Sequence, residues 1–259
     1  MLTATQATST TKTNSKQSED ALRVDLAAAF RWAARLNYHE AVANHFSVAV
    51  SDDGRQFLLQ PVGYHFSQVK ASDMLLLDLD NPVSLEAENA PDPSAWFLHG
   101  HLHQRLPQAR CILHVHTPSI LTLACLKDYE FLMLDQNAAR FYGRIAYDRH
   151  YNGLAIDDAE GERVASLMGD GKSVLFMGNH GVMVIGASVA EAFDELYFLE
   201  RAAHVQVMAL QTGRELAIIP DDIAAKAERQ WNTYPTGFAN QHFNALKQIL
   251  DKEEADYKA

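Results

Sequence analysis

Two short stretches carry side chains suited to chemistry. His114-Val115-His116 places valine between two imidazoles inside the apolar run Cys111–Val115. On a strand, residues i and i+2 share a face. Both imidazoles then point one way, and Val115 points into the core. Asn179-His180-Gly181 separates two further apolar runs, Val174–Met177 and Val182–Ile185. Glycine in such a turn lets backbone come close to a site. Neutral imidazoles ligate divalent metals and carry protons. Taken alone, His-x-His on a strand is also an ordinary polar pattern, and a single turn histidine is commonly just solvated. A third stretch, His99-Gly100-His101-Leu102-His103, puts His99 and His103 on one helical face. It leaves open a second metal site, or one pocket-lining histidine and two at the surface.

The composition frames these motifs. The 259 residues include 12 His but only 2 Cys, Cys111 and Cys125. Two thiols build no disulfide framework, so a reducing cytoplasm is expected. Cys111 reads as a buried strand residue. A net charge of -11 argues against a nucleic-acid partner. No run reaches the ~18 apolar residues of a membrane span, so no membrane partner is expected. Residues 1–18 are rich in Ser and Thr and have no apolar core of a secretory signal; they read as a disordered polar tail. Residues 19–259 read as a single domain. The acidic cluster from Asp251 to Asp256 reads as a solvated helix end.

The motifs must be held by helices and strands in alternation. Apolar spacing predicts a helix from Asp20 to Leu36. Phe46–Val50 and Phe57–Leu59 read as strands around an Asp52-Asp53-Gly54 turn, and Met74–Leu79 as a short strand. Ala95–Arg105 reads as a helix, followed by a strand at Cys111–Val115. Thr117-Pro118 gives an N-cap with proline at the first helical position. Further helices are expected from Asp157-Asp158 to Met168, from a Ser188–Glu191 capping box to about Gly213, and over Ile223–Trp231 and Phe238–Lys252. Val174–Met177 and Val182–Ile185 are strands. The mixture predicts an α/β fold, a three-layer α/β/α domain with a central mixed sheet.

Several motifs in order resemble the class II aldolase/adducin family. They are His114-x-His116, Asn179-His180-Gly181, the segment Asn44-His45-Phe46-Ser47-Val48, the Pro61-Val62-Gly63 turn, the helix with Trp96 and His99, and the run Asp135-Gln136-Asn137-Ala138. The resemblance spans roughly Leu22 to Leu210. It implies a divalent metal held by His114, His116 and His180, with positions left for substrate and water. It implies substrate contacts from Asn44, His45, Gly63, His65 and Ser94, and catalytic roles for His99, Gln136 and Tyr142. Gln136 and Asn137 also suit helix capping, and Tyr142 also suits core packing. A homotetramer with the site near a subunit interface is implied as well.

The departures from the family bear on the reaction. In its sugar-phosphate aldolases an acid/base Glu precedes the tryptophan; here Ala95 stands there and carries no proton. The phosphate-binding Gly-Asn pair resembles Asn44-His45. One phosphate-binding serine falls on Pro93, leaving Ser94, and a basic residue falls on Ala49. A tyrosine lent by the neighbouring subunit aligns near Asp135. The substrate is therefore expected to be small, unphosphorylated, and carboxylate- or carbonyl-bearing. Three histidines without an acid/base carboxylate also suit redox chemistry, and some relatives in this fold are oxygenases. The leading expectation is an Fe(II)-dependent dioxygenase, with Zn(II) or another divalent ion as the alternative metal. The resemblance to such oxygenases, not the residue spacing, implies O2 and a 2-oxo acid oxime such as pyruvic oxime as substrates, giving pyruvate and nitrite, as in nitrification. The alternatives are a divalent-metal lyase (aldolase or decarboxylase) and a non-enzymatic adducin-like module.

Overall fold

The computed structural model describes residues 18–81, 85–234 and 237–259. Strands β1 (His45–Ala49), β2 (Gln56–Leu59), β3 (Leu75–Asp78), β4 (Cys111–Val115), β5 (Ile145–Asp148), β6 (Val174–Met177) and β7 (Gly181–Gly186) form one sheet. Its order is β3-β2-β1-β4-β7-β6-β5. Every neighbouring pair runs antiparallel except β5 and β6, so the sheet is mixed. The helices are α1 (Glu19–Arg35), α2 (Pro93–Arg105), α3 (Pro118–Ala124), α4 (Asp158–Leu167), α5 (Val189–Gln211), α6 (Asp221–Asn232) and α7 (Phe238–Glu253).

Side-chain alternation on the central strand assigns the layers. Cys111, Leu113 and Val115 join a core with Leu26 and Phe30 of α1, Ile120 of α3, Leu196 of α5 and Phe243 of α7. Ile112 faces the other way, toward Leu98 and Leu102 of α2 and Val164 of α4. Helices thus cover both faces, the three-layer arrangement expected. Cys111 is buried, also as expected.

Local chemistry starts each helix near the site. Asp92 accepts from the Ser94 and Ala95 amides, with Pro93 at the first position of α2. Thr117 departs from expectation: its hydroxyl makes no cap bond in α3 but donates to Glu200 of α5. The Glu200 carboxylate instead takes the free Ser119 and Ile120 amides. Ser188 caps α5 as foreseen, although Glu191 reaches the amide of Ala187.

Strand β5 was not foreseen. The acidic cluster is not merely solvated: Glu254 and Asp256 pair with buried Arg31, and Glu253 and Glu254 with Arg35. Of the expected tail, only Ser18 lies within the described residues, where its side chain caps α1.

Candidate metal centre

The sheet topology gathers one end of three strands. His45 pairs with His114 across β1 and β4, and Val115 pairs with Val182 across β4 and β7. His114 sits on the α2/α4 side of β4, on the same face as Ile112. His116 follows at the strand end. His180 comes from the turn between β6 and β7, which is pinned by two backbone hydrogen bonds. The Gly178 amide donates to the Asp148 carbonyl and the Asn179 amide to the Ala124 carbonyl. Asn179 takes the left-handed conformation, φ 57°, which asparagine tolerates better than most residues. Gly181 brings the turn hard against β4: a Cβ there would lie 2.5 Å from the Val115 carbonyl oxygen and 2.6 Å from the His116 ring.

The three rings converge. Centroids of His114, His116 and His180 lie 4.8 Å apart in each pairing, and one nitrogen from each falls within 4.8 Å of the others. Two of the outer nitrogens are engaged. His114 Nδ1 donates to the Val182 carbonyl at 3.0 Å. His116 Nδ1 meets the Glu40 carboxylate at 2.5 Å. Hydrogen bonds of this kind fix the tautomer and leave Nε2 free to ligate. The free Nε2 atoms of His114 and His116 are 2.9 Å apart, close to the ~3.4 Å that two ligands 2.0–2.1 Å from one tetrahedral ion would keep. Burial holds His114 well below the usual imidazole range and lowers His180 to about 4. Both are therefore neutral, as ligands must be. The donor set fits a divalent ion, and three protein ligands leave coordination open for substrate.

A second imidazole cluster lies behind the first. The His45 ring stacks on His114 at 4.8 Å, and His45 Nδ1 lies 2.7 Å from His99 Nε2. His99 Nδ1 meets Ser47 Oγ at 2.5 Å. Ser47 Oγ meets His103 Nε2 at 2.7 Å, and His103 Nδ1 meets the Ala109 carbonyl at 2.6 Å. His99 and His103 face the sheet as i, i+4 partners. The surface member of the His99–His103 run is His101, beside Asp158 and Glu162. Ser94, in the first turn of α2, lies 3.4 Å from His45 Nε2. Asn44 is buried, and neither of its side-chain amide atoms has a partner among the described residues. His65 forms a rim: its Nε2 is 2.8 Å from His39 Nε2, next to the Glu40 that holds His116. Gly63 is exposed in the same loop, at φ 86°.

Two expected residues stand apart. Tyr142 precedes the end of β5 opposite the triad, since Asp148, not Ile145, pairs beside the β6–β7 turn; it packs on the main core. Gln136 is exposed ahead of it, where Asp135 caps the Ala138 amide. Ala95 is fully buried among Phe57, Leu59 and Trp96. The sequence reading gave no role to Glu40 or Ser47 and left His103 between a second metal site and the surface. Glu40 follows a histidine in a loop, and nothing local connects it to His116.

The chain resembles known proteins over most of its length. Residues 24–207 match the model of the Class II Aldolase and Adducin N-terminal domain. A Caulobacter vibrioides protein provisionally named for aldolase class 2 is 30% identical over 208 residues, 80% of each chain. Rat alpha-adducin is 30% identical over 247 residues, which are 90% of this chain and 33% of adducin. The crystal structure of an aldolase II superfamily protein from Pseudomonas syringae superposes with a TM-score of 0.84 at 31% identity, covering 95% of this chain and 98% of that one. These matches overturn the expected dioxygenase: they point to a lyase superfamily, and nothing in them supports O2, an oxime or iron in particular. The chain belongs to the class II aldolase and adducin family.

Proposed function

We propose that the chain is a divalent-metal-dependent lyase acting on a small, unphosphorylated carbonyl compound, by aldol-type cleavage or decarboxylation. The observation that carries the reading is the convergence of His114, His116 and His180, with the outer nitrogens of His114 and His116 tied to Val182 and Glu40. A bound zinc or similar ion would act as a Lewis acid on the carbonyl oxygen. Asn44, His45, Ser94 and the Gly63–His65 loop are assigned to substrate, with His99 buried behind them. Gln136 and Tyr142 lie away from the triad of their own chain, and we assign them to the site of a neighbouring subunit. Exposed Tyr151, Leu154 and Ile156, in the loop beyond β5, support such assembly. Tyr151 also lies 6.1 Å, ring to ring, from His180. A homotetramer is the proposed form.

Among the described residues, the start of α2 leaves no amide free for an anion, which supports the unphosphorylated substrate. Pro93 offers no N–H, and the Ser94 and Ala95 amides are taken by Asp92.

The test is direct. Metal-stripped protein is reloaded with Zn2+, Mn2+ or Co2+ and offered matched phosphorylated and unphosphorylated hydroxy-carbonyl compounds. Released aldehyde and CO2 are measured. Metal-dependent turnover of the unphosphorylated set is expected, with bound metal lost in His114→Ala, His116→Ala and His180→Ala. Full metal retention by any of these variants removes that ligand. Stoichiometric metal with no cleavage of either set would favour the adducin-like reading. Light scattering reports the assembly.

A further inference from the structure

The buried chain from Ala109 to His45 has only one consistent direction. A carbonyl oxygen only accepts, so His103 Nδ1 carries the proton that reaches Ala109. His103, His99 and His45 are all buried, and burial disfavours the charged imidazole. In a neutral ring, His103 Nε2 is then a bare lone pair, and the Ser47 hydroxyl must donate to it. With its one proton committed, Ser47 Oγ accepts from His99 Nδ1. His99 Nε2 is therefore bare and accepts from His45 Nδ1. The last consequence is that His45 Nε2 carries no proton.

The hydroxyl that faces that atom is also an acceptor. Ser94 Oγ faces it at 3.4 Å, but the serine proton goes to the Asp92 carboxylate at 2.5 Å. Two lone pairs thus face one another across a gap longer than a good hydrogen bond. The backbone amides that might have offset this, those of Ser94 and Ala95, are already bonded to Asp92. His45 stacks directly on the ligand His114, so this acceptor pair borders the metal triad.

Resting on the metal-site reading above, we infer that His45 Nε2 and Ser94 Oγ form an acceptor-only subsite that selects a substrate carrying an O–H or N–H donor beside its metal-binding carbonyl, and rejects a carboxylate or phosphate there. His99, Ser47 and His103 are positioning residues: they touch no substrate but set which nitrogen of His45 is bare. A site whose buried polar groups would be left unpaired discriminates strongly against the wrong partner.

Two measurements test this. Long-range 1H–15N NMR of the 15N-labelled protein reads the His45 tautomer with or without zinc. A pyrrole-type Nδ1 and a pyridine-type Nε2 are expected; a pyrrole-type Nε2 overturns the inference. The zinc-loaded protein is then titrated with three chelators that differ only at the far end: glycolohydroxamate, methoxyacetohydroxamate and malonomonohydroxamate. The hydroxyl compound should bind ~10-fold tighter than the other two. Ser47→Ala, which frees the tautomer, should bring the ratio toward one with bound zinc unchanged, and Ser47→Thr should preserve it. Equal affinity of the three probes for the wild type overturns the subsite. Failure of zinc and of all three probes to bind overturns the metal reading instead, and leaves the tautomer signature in place.

Discussion

His103 shows what a buried neutral imidazole costs the fold. Burial lowers its pKa to about 3, against ~6.5 in the unfolded chain. Between those values the unfolded state binds more protons, so unfolding free energy rises with pH through this window. Stability from this group is complete above ~6.5 and is lost as pH falls toward 3. His45, also lowered to about 3 by burial, acts in the same sense. His103→Asn should flatten the dependence by up to one proton, ~1.4 kcal/mol per pH unit. Urea unfolding of both proteins from pH 4.5 to 7 measures it; coincident slopes would show that His103 does not titrate this way. The triad was legible because its ligands sit in two short motifs with a known resemblance. The positioning roles of His103 and Ser47 were not. Their roles arise from a helix face meeting a strand, His99 and Ser47 being 52 residues apart, and no local pattern records that meeting.

At the scale of elements, the approach of the β6–β7 turn to the end of β4 depends on one missing side chain. Gly181 sits against the Val115 carbonyl and the His116 ring with no room for a methyl group. Gly181→Ala must push the β6–β7 turn away from β4, carrying His180 with it. Bound zinc, measured by elemental analysis, should fall at least ~10-fold, with ~1–3 kcal/mol of stability lost to overpacking. Wild-type metal content in this variant would mean that the turn adapts freely. Most elements were visible as apolar runs bounded by caps. Strand β5 was missed because it is four residues long, with Arg144 before it and Arg149 after it, and contains the polar Tyr147 and Asp148. Its partner β6 supplies the parallel pairing that makes it a strand. Thr117 was correctly placed at a helix start, but the group that satisfies the start comes from α5, far away in sequence.

For the molecule as a whole, the last turn of chain behaves as part of the core. Tyr257 is fully buried, and its hydroxyl donates to Asp251. Arg31 of α1 bonds the Val69 carbonyl and pairs with Glu254 and Asp256. Tyr257→Ala should cost ~3 kcal/mol, read as a lower urea midpoint with bound zinc unchanged. A loss below 1 kcal/mol would return the segment to the solvated end that its charge suggests. Composition hid this latch, because an acidic run looks the same whether or not an arginine waits beneath it.

The central strand has a further consequence, in time rather than space. β4 is joined on both sides to strands distant in sequence: His114 and Val182, which share a hydrogen bond, are 68 residues apart, and β1 precedes β4 by a β-hairpin and a helix. Long loops must close before either edge of β4 is paired, which makes such contacts late and slow to form. The triad spans those same strands. An ion held there would therefore find all its ligands only after those loops have closed, and would act as a brake on unfolding rather than as a nucleus for folding.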